Sequence, residues 1–151
     1  MKTLLIVFHT GGVKTARMAE AVERGARSES GVNVIVKRCA DAGPQDVLAA
    51  DGLILGTPEN FGYMSGMMKD FLERVFYACE GKVNGRPWAL FVGAGLDGSG
   101  AVTSVERIVL GLRMEKKSEA IVGLKELTPE ILARCEELGA AFAAGLALGV
   151  F

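Results

Sequence analysis

Four short, continuous apolar runs recur along this 151-residue chain and constrain its fold more than any other feature. They lie at Thr3–Phe8, Val32–Val36, Gly52–Leu55 and Trp88–Val92, and a weaker fifth run lies near Glu119–Val122. Continuous rather than alternating apolar runs are typical of strands that are buried on both faces of a parallel sheet. We therefore expect a parallel sheet with helices on each side.

The segments between and after these runs have the spacing of amphipathic helices. The residues that share an apolar helical face are Met18, Ala19, Val22 and Ala26; Met64, Met67, Met68, Phe71, Leu72, Val75 and Phe76; Val102, Val105, Ile108, Val109 and Leu112; and Ile131, Leu132, Cys135, Leu138 and Phe142. Thr128 is the predicted N-cap of the last helix, with Pro129 at its first position. The segment after Cys39 has room for only a turn or two of helix. With no linker or low-complexity tract, residues 1–151 are predicted to form a single domain.

The composition excludes several classes of protein. Lys plus Arg (17) nearly balance Asp plus Glu (18), so the chain has no excess of positive charge to attract nucleic acid or an anionic membrane surface. Three widely spaced cysteines and one histidine make a metal cluster improbable and favour buried thiols in a reducing cytoplasm. The apolar run at the start is too short for a secretory signal, and none approaches the ~20 residues of a membrane span. We expect a cytoplasmic protein with no membrane partner.

Three of the predicted strands are followed by unusual loops. The first leads into His9–Thr15 (HTGGVKT), the third into Gly56–Gly66 (GTPENFGYMSG) and the fourth into Gly93–Gly100 (GAGLDGSG). The second strand instead continues into Lys37-Arg38-Cys39, with no glycine cluster. Ligands of open α/β sheets bind outside the carboxyl ends of the strands. We therefore expect the site where these three loops meet.

The first loop has the composition of a phosphate site. It opens a predicted helix, whose unpaired N–H groups and dipole attract anions. The candidate residues are Thr10, Gly11, Gly12, Val13, Lys14 and Thr15. The hydroxyls of Thr10 and Thr15 can donate hydrogen bonds, and Lys14 can add charge. The pattern GxxxxGK[ST] is absent, which argues against a nucleotide triphosphatase. A simple threonine-capped turn is the alternative interpretation of this loop.

The other two loops indicate a flat ligand. Phe61 and Tyr63 offer faces for stacking, and Asn60 can bond to a polar ring edge. Taken singly, either aromatic could instead be a surface or core residue. Gly93–Gly98 matches GxGxxG, but only one further strand follows it, whereas the dinucleotide-binding fold starts with this motif. We interpret this loop as a side-chain-poor wall beside an aromatic phosphate ligand.

Together the three loops resemble the flavodoxin-like family, particularly its NAD(P)H:quinone oxidoreductase, FMN reductase-like and multimeric flavodoxin branch. That branch has a phosphate loop of the form tyrosine-histidine-serine-glycine-x-x-x-threonine, to which Phe8–Thr15 is similar. Its middle motif is similar to Gly56–Met64, followed by a helix like Met67–Arg74. The resemblance covers Lys2–Val109 well and the remainder loosely. Glu59 stands where threonine or serine is frequent, and the extra insert of the full quinone reductases is missing.

The resemblance implies a three-layer α/β sandwich with a five-stranded parallel sheet in the order 2-1-3-4-5, holding FMN. It places the phosphate on Thr10, Gly11, Gly12, Val13, Lys14 and Thr15. The isoalloxazine would lie between Thr57, Pro58, Glu59, Asn60, Phe61 and Gly62 on one side and Gly93, Ala94, Gly95 and Gly98 on the other. The flavin then carries the chemistry in a ping-pong reaction between NAD(P)H and a quinone-like acceptor, without catalytic side chains or a metal. The alternative is an electron carrier, which the near-neutral charge disfavours.

Two other functions on a similar fold fit poorly. A receiver domain needs acidic residues at the end of the first strand, where Phe8-His9-Thr10 has none. A low-molecular-weight phosphatase needs an arginine six positions after a cysteine, and none of the three cysteines has one.

The last segment, GAAFAAGLALGVF, is apolar on nearly all sides. It predicts a homodimer or a larger homo-oligomer, with a tightly packed monomer as the alternative.

Overall fold

The computed structural model describes all residues from Met1 to Phe151. Its strands are β1 (Lys2–Phe8), β2 (Val32–Arg38), β3 (Gly52–Asn60), β4 (Tyr63–Met64), β5 (Pro87–Ala94), β6 (Glu115–Lys116) and β7 (Ile121–Leu124). Its α-helices are α1 (Lys14–Arg27), α2 (Pro44–Ala49), α3 (Gly66–Cys79), α4 (Ser99–Gly111) and α5 (Pro129–Leu148), and a 3-10 turn covers Cys39–Asp41. The strands and helices predicted from apolar periodicity are therefore all present, with the correction that Met64 lies in β4 and not on the face of α3.

The principal sheet is parallel in the order β2-β1-β3-β5, with β6 and β7 both beside β5. β6 pairs with Pro87 and Trp88, and β7 pairs with Phe91–Ala94. These two short strands together fill the fifth position, so the expected order 2-1-3-4-5 is confirmed with one correction: the fifth strand is interrupted. A second correction concerns β3, which runs to Asn60 rather than Leu55 and pairs with the antiparallel strand β4.

Both faces of the sheet are buried, which explains why the apolar runs are continuous. Along β1, Leu4 and Ile6 belong to the core beneath α1 and α5. Leu5 and Val7 alternate with them and belong to the core beneath α2, α3 and α4. Because successive side chains of a strand point to opposite faces, a strand covered on both sides must be apolar at every position.

The last helix is less uniform than its sequence suggests. Leu138, Phe142 and Leu146 are buried against α1 and the sheet, whereas Ala141 and Ala147 lie on the solvent side. The exposed apolar positions are thus small alanines along the helix and Leu148 and Val150 at its end, and the homo-oligomer stays a prediction. No helix combines the length and the apolar character that crossing a bilayer demands.

The three cysteines are buried and unpaired, as the sequence indicates. Burial raises the pKa of Cys39 to about 12 and that of Cys135 to about 11. Thiols with such pKa values stay protonated at neutral pH, so these cysteines serve as small apolar core residues.

Candidate functional site

The three unusual loops meet at the carboxyl edge of the sheet. β1 and β3 are paired up to Phe8 and Gly56, and β3 and β5 are paired up to Pro58 and Gly93. Because these strands are neighbours and parallel, the loops that follow them lie side by side. The predicted site residues, scattered between positions 10 and 98, are thus brought to one edge.

The start of α1 has no capping group from the chain. Its N-cap, Val13, makes no side-chain hydrogen bond, and no acidic residue lies in the first turn. The amide N–H groups of Val13, Lys14, Thr15 and Ala16 find no acceptor in the protein. Every other α-helix has a partner at its start: Asp46 for α2, Ser65 for α3, Glu59 for α4 and Thr128 for α5. Unpaired donors at the positive end of a helix dipole are suited to binding an anion, so the start of α1 is the candidate anion site.

Two threonines frame this anion site in different ways. The Thr10 hydroxyl donates to the Gly12 carbonyl at 2.6 Å and so closes the loop on itself. Thr15 is only 3 % exposed, but its hydroxyl oxygen keeps some contact with solvent and makes no hydrogen bond within the chain. At Gly11 and Gly12 a Cβ atom would meet nothing within 4 Å, so the loop borders open space. The Thr15 hydroxyl and the free N–H groups are therefore available to a bound anion.

Lys14, predicted to contact the phosphate, is engaged elsewhere. Its ammonium donates to the carbonyls of Ala94 at 2.8 Å and of Gly123 at 3.3 Å, at the ends of β5 and β7. Loss of solvent around the side chain lowers the pKa of Lys14. A Cβ at Gly93 would lie 2.7 Å from the Thr15 hydroxyl, so the glycine lets β5 approach α1. Lys14 therefore fastens the phosphate loop to the sheet.

The middle loop is a β-hairpin. β3 reverses at Phe61 and Gly62, whose φ angles are +56° and +70°, and β4 pairs back on Asn60 and Glu59. Positive φ at both central residues is the turn geometry that matches the twist of a hairpin. Phe61 is 105 % exposed and Tyr63 is 43 % exposed, so neither ring fills the core. Both rings are therefore exposed on a hairpin that follows the carboxyl end of the β3 pairing with β5.

Two predicted site residues of this hairpin use their polar groups inside the protein. The Thr57 hydroxyl accepts from the Ser65 N–H at 3.0 Å and donates to the Pro58 carbonyl at 2.9 Å. The Glu59 carboxylate accepts from the N–H groups of Gly98, Gly100 and Ala101 at 3.2, 3.1 and 3.3 Å, respectively. Thr57 and Glu59 therefore shape the site rather than face it, whereas Pro58, Asn60, Phe61 and Gly62 remain accessible.

The hairpin is clamped to the start of α4. Besides the Glu59 carboxylate, the Ser104 hydroxyl accepts from the Met64 N–H at 3.1 Å. A Cβ at Gly100 would lie 1.8 Å from the Gly62 carbonyl oxygen, so the two backbones touch. The hairpin and the third loop thus form one unit. The sequence did not predict Ser104 or the contacts between the hairpin and α4. These contacts join residues 39 to 42 positions apart and leave no local pattern in the sequence.

The third loop offers backbone surface with few side chains, and the helix that it opens has no free start at which an anion could bind. Gly98 has a φ of +78°, and a Cβ there would lie 2.5 Å from a methyl of Val122. Gly95 borders open space, and Ala94 is buried. Asp97 accepts from the N–H and hydroxyl of Ser99, and these hydrogen bonds lower the pKa of Asp97. The start of α4, where a GxGxxG loop would hold a pyrophosphate, is occupied by Glu59.

His9 precedes the phosphate loop and adds no charge to it. Its backbone N–H donates to the Gly56 carbonyl at 3.0 Å. Partial burial, and the nearby Arg38 guanidinium, lower the pKa of His9 from its ordinary value near 6.5, so the imidazole is neutral at pH 7. The anion site therefore depends on hydrogen-bond donors, not on this histidine.

The chain matches one known protein family and known relatives in sequence. A sequence profile of the NADPH-dependent FMN reductase family matches residues 29–126. A flavodoxin of Aquifex aeolicus is 38 % identical over 100 residues, which cover 66 % of this chain and 54 % of that protein. An NAD(P)H dehydrogenase (quinone) of Acidithiobacillus ferrooxidans is 32 % identical over 126 residues, covering 70 % of this chain and 63 % of that protein. The chain thus spans between about half and two thirds of the length of these relatives.

Solved structures establish the fold. A flavodoxin from the domain Archaea has a TM-score of 0.84 at 22 % identity, covering 95 % of this chain and 98 % of that one. A flavodoxin, WrbA-like protein from Agrobacterium tumefaciens has a TM-score of 0.78 at 22 % identity, covering 99 % of each chain. The fold is therefore the flavodoxin-like α/β fold.

Proposed function

The chain belongs to the NADPH-dependent FMN reductase family, and we propose that it is an FMN-binding oxidoreductase that passes electrons from NAD(P)H to a quinone-like or other small acceptor. The observation that carries this proposal is the uncapped start of α1, with its free N–H groups beside the unpartnered Thr15 hydroxyl. The Acidithiobacillus relative, named as an NAD(P)H dehydrogenase (quinone), supports the donor and the acceptor class. We place this activity in a single domain, residues 1–151, in the cytoplasm.

The residues fit a mononucleotide better than a dinucleotide. One helix start at the carboxyl edge offers unpaired donors, and the other, at α4, already holds the Glu59 carboxylate. A ligand bound across the three loops therefore finds one anion site next to an aromatic hairpin and a glycine wall. FMN combines one phosphate with a flat ring system, which matches that arrangement.

Different residues of the chain would hold the phosphate and the ring system of FMN. The phosphate would take the Thr15 hydroxyl and the backbone N–H groups of the first loop, with Thr10, Gly11 and Gly12 shaping its approach. The ring system would lie against Pro58, Asn60, Phe61 and Gly62, opposite Gly93, Ala94, Gly95 and Gly98. Bound there, FMN supplies the electron-transfer chemistry between donor and acceptor.

The protein's part in the reaction is binding, orientation and exclusion of water. The Asn60 side chain is exposed and makes no hydrogen bond within the chain, so its amide can both donate to and accept from a polar ring edge. Phe61 and Tyr63 offer apolar surface that displaces water from one side of the cleft. The three loops are held in position by hydrogen bonds that Lys14, Thr57 and Glu59 make within the protein.

The test is to titrate the purified protein with FMN and follow the visible absorption and the quenching of flavin fluorescence. Saturable binding is expected, and a protein that neither retains nor binds FMN would overturn the proposal. With FMN bound, steady NADPH consumption in the presence of benzoquinone is expected of an enzyme.

The second candidate function is an electron carrier, favoured by the Aquifex relative that is named flavodoxin. A carrier would bind FMN equally well but show almost no steady turnover of NADPH with benzoquinone. The same two measurements therefore separate the two functions. We also propose a homodimer or larger homo-oligomer, which sedimentation velocity would detect.

A further inference from the structure

A second cavity lies beside the phosphate loop, on the side that faces the β7–α5 connection. It measures about 400 Å³. The residues that line it are Val13, Lys14, Arg17, Lys125, Glu126 and Leu127. Val13 and Lys14 belong to the phosphate loop, so the two sites share a wall. Arg17 and Lys125 lie outside every motif that the sequence singled out.

The charges of this cavity are unbalanced. Three of its residues are cationic and one is a carboxylate, and none of the three cations has a carboxylate within 4.0 Å. The cavities that flank α4 differ in this respect. There Lys116 is paired with Glu106 at 2.8 Å, and Lys69 with Glu73 at 2.7 Å, each inside its own cavity. The cavity beside the phosphate loop instead groups three cations that have no carboxylate partner, and the side chains of Arg17 and Lys125 make no hydrogen bond within the chain.

The Lys14 ammonium and the Lys125 backbone share one hydrogen-bond acceptor. The Ala94 carbonyl accepts from the Lys14 ammonium at 2.8 Å and from the Lys125 backbone N–H at 3.1 Å. Lys125 has a φ of +53°, in the left-handed region that lysine rarely adopts, so the tertiary structure dictates its position. The Arg17 backbone is fixed in α1, where its N–H donates to the Val13 carbonyl at 2.9 Å. Like charges gathered by the fold and left without counter-ions are suited to an anionic ligand.

We propose that this cavity is a second phosphate site, which binds a nucleotide phosphate other than that of FMN. The inference rests on the proposed function, because the first site takes the flavin phosphate that FMN and FAD have in common. Two nucleotides carry the required chemistry: NADPH, through its 2′-phosphate, and FAD, through its second phosphate. Arginine and lysine bind phosphate through charge-assisted hydrogen bonds, and a site shared between Arg17 and Lys125 supplies both kinds of donor.

The variant for the test carries Arg17→Gln and Lys125→Gln. A matched control carries Lys2→Gln and Lys82→Gln, which remove the same charge from the opposite edge of the sheet, where neither lysine has an ionic partner. Calorimetric titration of the FMN-loaded full chain with 2′,5′-ADP probes the donor phosphate. Titration of the apoprotein with FAD and with FMN probes the flavin phosphates.

The expected result is that either 2′,5′-ADP or FAD binds the wild type and loses at least about tenfold in affinity in the Arg17/Lys125 variant. FMN affinity and the Lys2/Lys82 control should be unchanged. If 2′,5′-ADP responds, kcat/KM should fall for NADPH and not for NADH; if FAD responds, the donors should be equally affected. Equal affinities of both probes for the wild type and the variant would overturn the second site.

Failure of this inference is distinguishable from failure of the proposed function. A protein that binds FMN but shows no Arg17- and Lys125-dependent binding keeps its proposed function and loses the second site. A protein that binds no FMN, while 2′,5′-ADP still depends on Arg17 and Lys125, keeps the phosphate site and loses the flavin. The FMN titration therefore reports on one claim and the 2′,5′-ADP titration on the other.

Discussion

The starts of α1 and α4 look alike in sequence but have opposite roles. Each helix follows a buried strand and a glycine-rich loop at the carboxyl edge of the sheet. At α4 the exposed donors are satisfied by the Glu59 carboxylate, whereas at α1 no group of the chain reaches them. Glycine patterns thus indicate where a backbone can approach a partner, and a distant carboxylate decides whether that partner is a ligand or the protein itself.

The glycines of the two loops show the same contrast. A Cβ at Gly12 would enter open space, whereas one at Gly100 would lie 1.8 Å from the Gly62 carbonyl oxygen. The start of α4 is therefore closed by contacts within the protein, whereas the start of α1 is open. Substitutions at the start of α4 should mainly change the free energy of unfolding, and those at the start of α1 should mainly change the affinity for FMN.

The largest effect is expected from Gly100→Ala. Because the added methyl group collides with backbone rather than with a movable side chain, the free energy of unfolding should fall by about 3 kcal/mol. The matched change Gly12→Ala should leave it unchanged or raise it by up to about 1 kcal/mol, while weakening FMN binding. Urea denaturation of the apoproteins measures both. Equal destabilisation by the two substitutions would contradict the difference that we infer between the two helix starts.

Removing the carboxylate at α4 should come next. Glu59→Ala leaves the N–H groups of Gly98, Gly100 and Ala101 without their acceptor, so the free energy of unfolding should fall by about 2 kcal/mol. Glu59→Gln keeps one acceptor oxygen and should lose about half as much. Inorganic phosphate should then raise the Tm of Glu59→Ala more than that of the wild type, because α4 has gained an open anion site. Identical phosphate effects on both proteins would show that Glu59 does not close that site.

A smaller and more selective effect is expected at Thr15. Thr15→Val removes a hydroxyl that has no partner in the chain, so the Kd for FMN should rise roughly tenfold with little change in apoprotein stability. The control is Thr128→Val, which removes the N-cap of α5. It should lower the free energy of unfolding by about 1 kcal/mol and leave the Kd for FMN unchanged. Fluorescence titration gives the Kd, and unaltered FMN affinity in Thr15→Val would refute the phosphate assignment.

The smallest effect concerns pH. The pKa of His9 is lowered in the folded protein, so below the ordinary value near 6.5 the unfolded chain binds a proton more readily than the fold does. His9 should therefore reduce stability as pH falls from about 7 through 6.5 to its folded pKa. His9→Gln should flatten this part of the stability profile, measured by urea denaturation at several pH values. A profile that is equally steep in both proteins would assign the dependence to other groups.

Sequence patterns predicted the elements well and the hydrogen bonds of the site poorly, for a physical reason. Apolar periodicity is local, so β1, β2, β3, β5 and the long helices could be recognised from neighbouring residues. The ammonium of Lys14 instead bonds to Ala94, 80 residues away, and Glu59 bonds to residues 39 to 42 positions away. Such contacts depend on which strands become neighbours. The residue types near the cleft were therefore predictable, whereas the inward orientation of Thr57, Glu59 and Lys14 was not.

The interrupted fifth strand has a consequence for how the protein behaves at high concentration. An exposed sheet edge is a template on which strands of other chains can pair, and long flat edges promote aggregation. Here that edge is divided into β6, of two residues, and β7, of four. Neither segment offers enough consecutive backbone groups for a stable intermolecular ladder. The break at residues 117–120 thus opposes the addition of further chains at this edge and leaves β2, of seven residues, as the one long edge strand of the sheet.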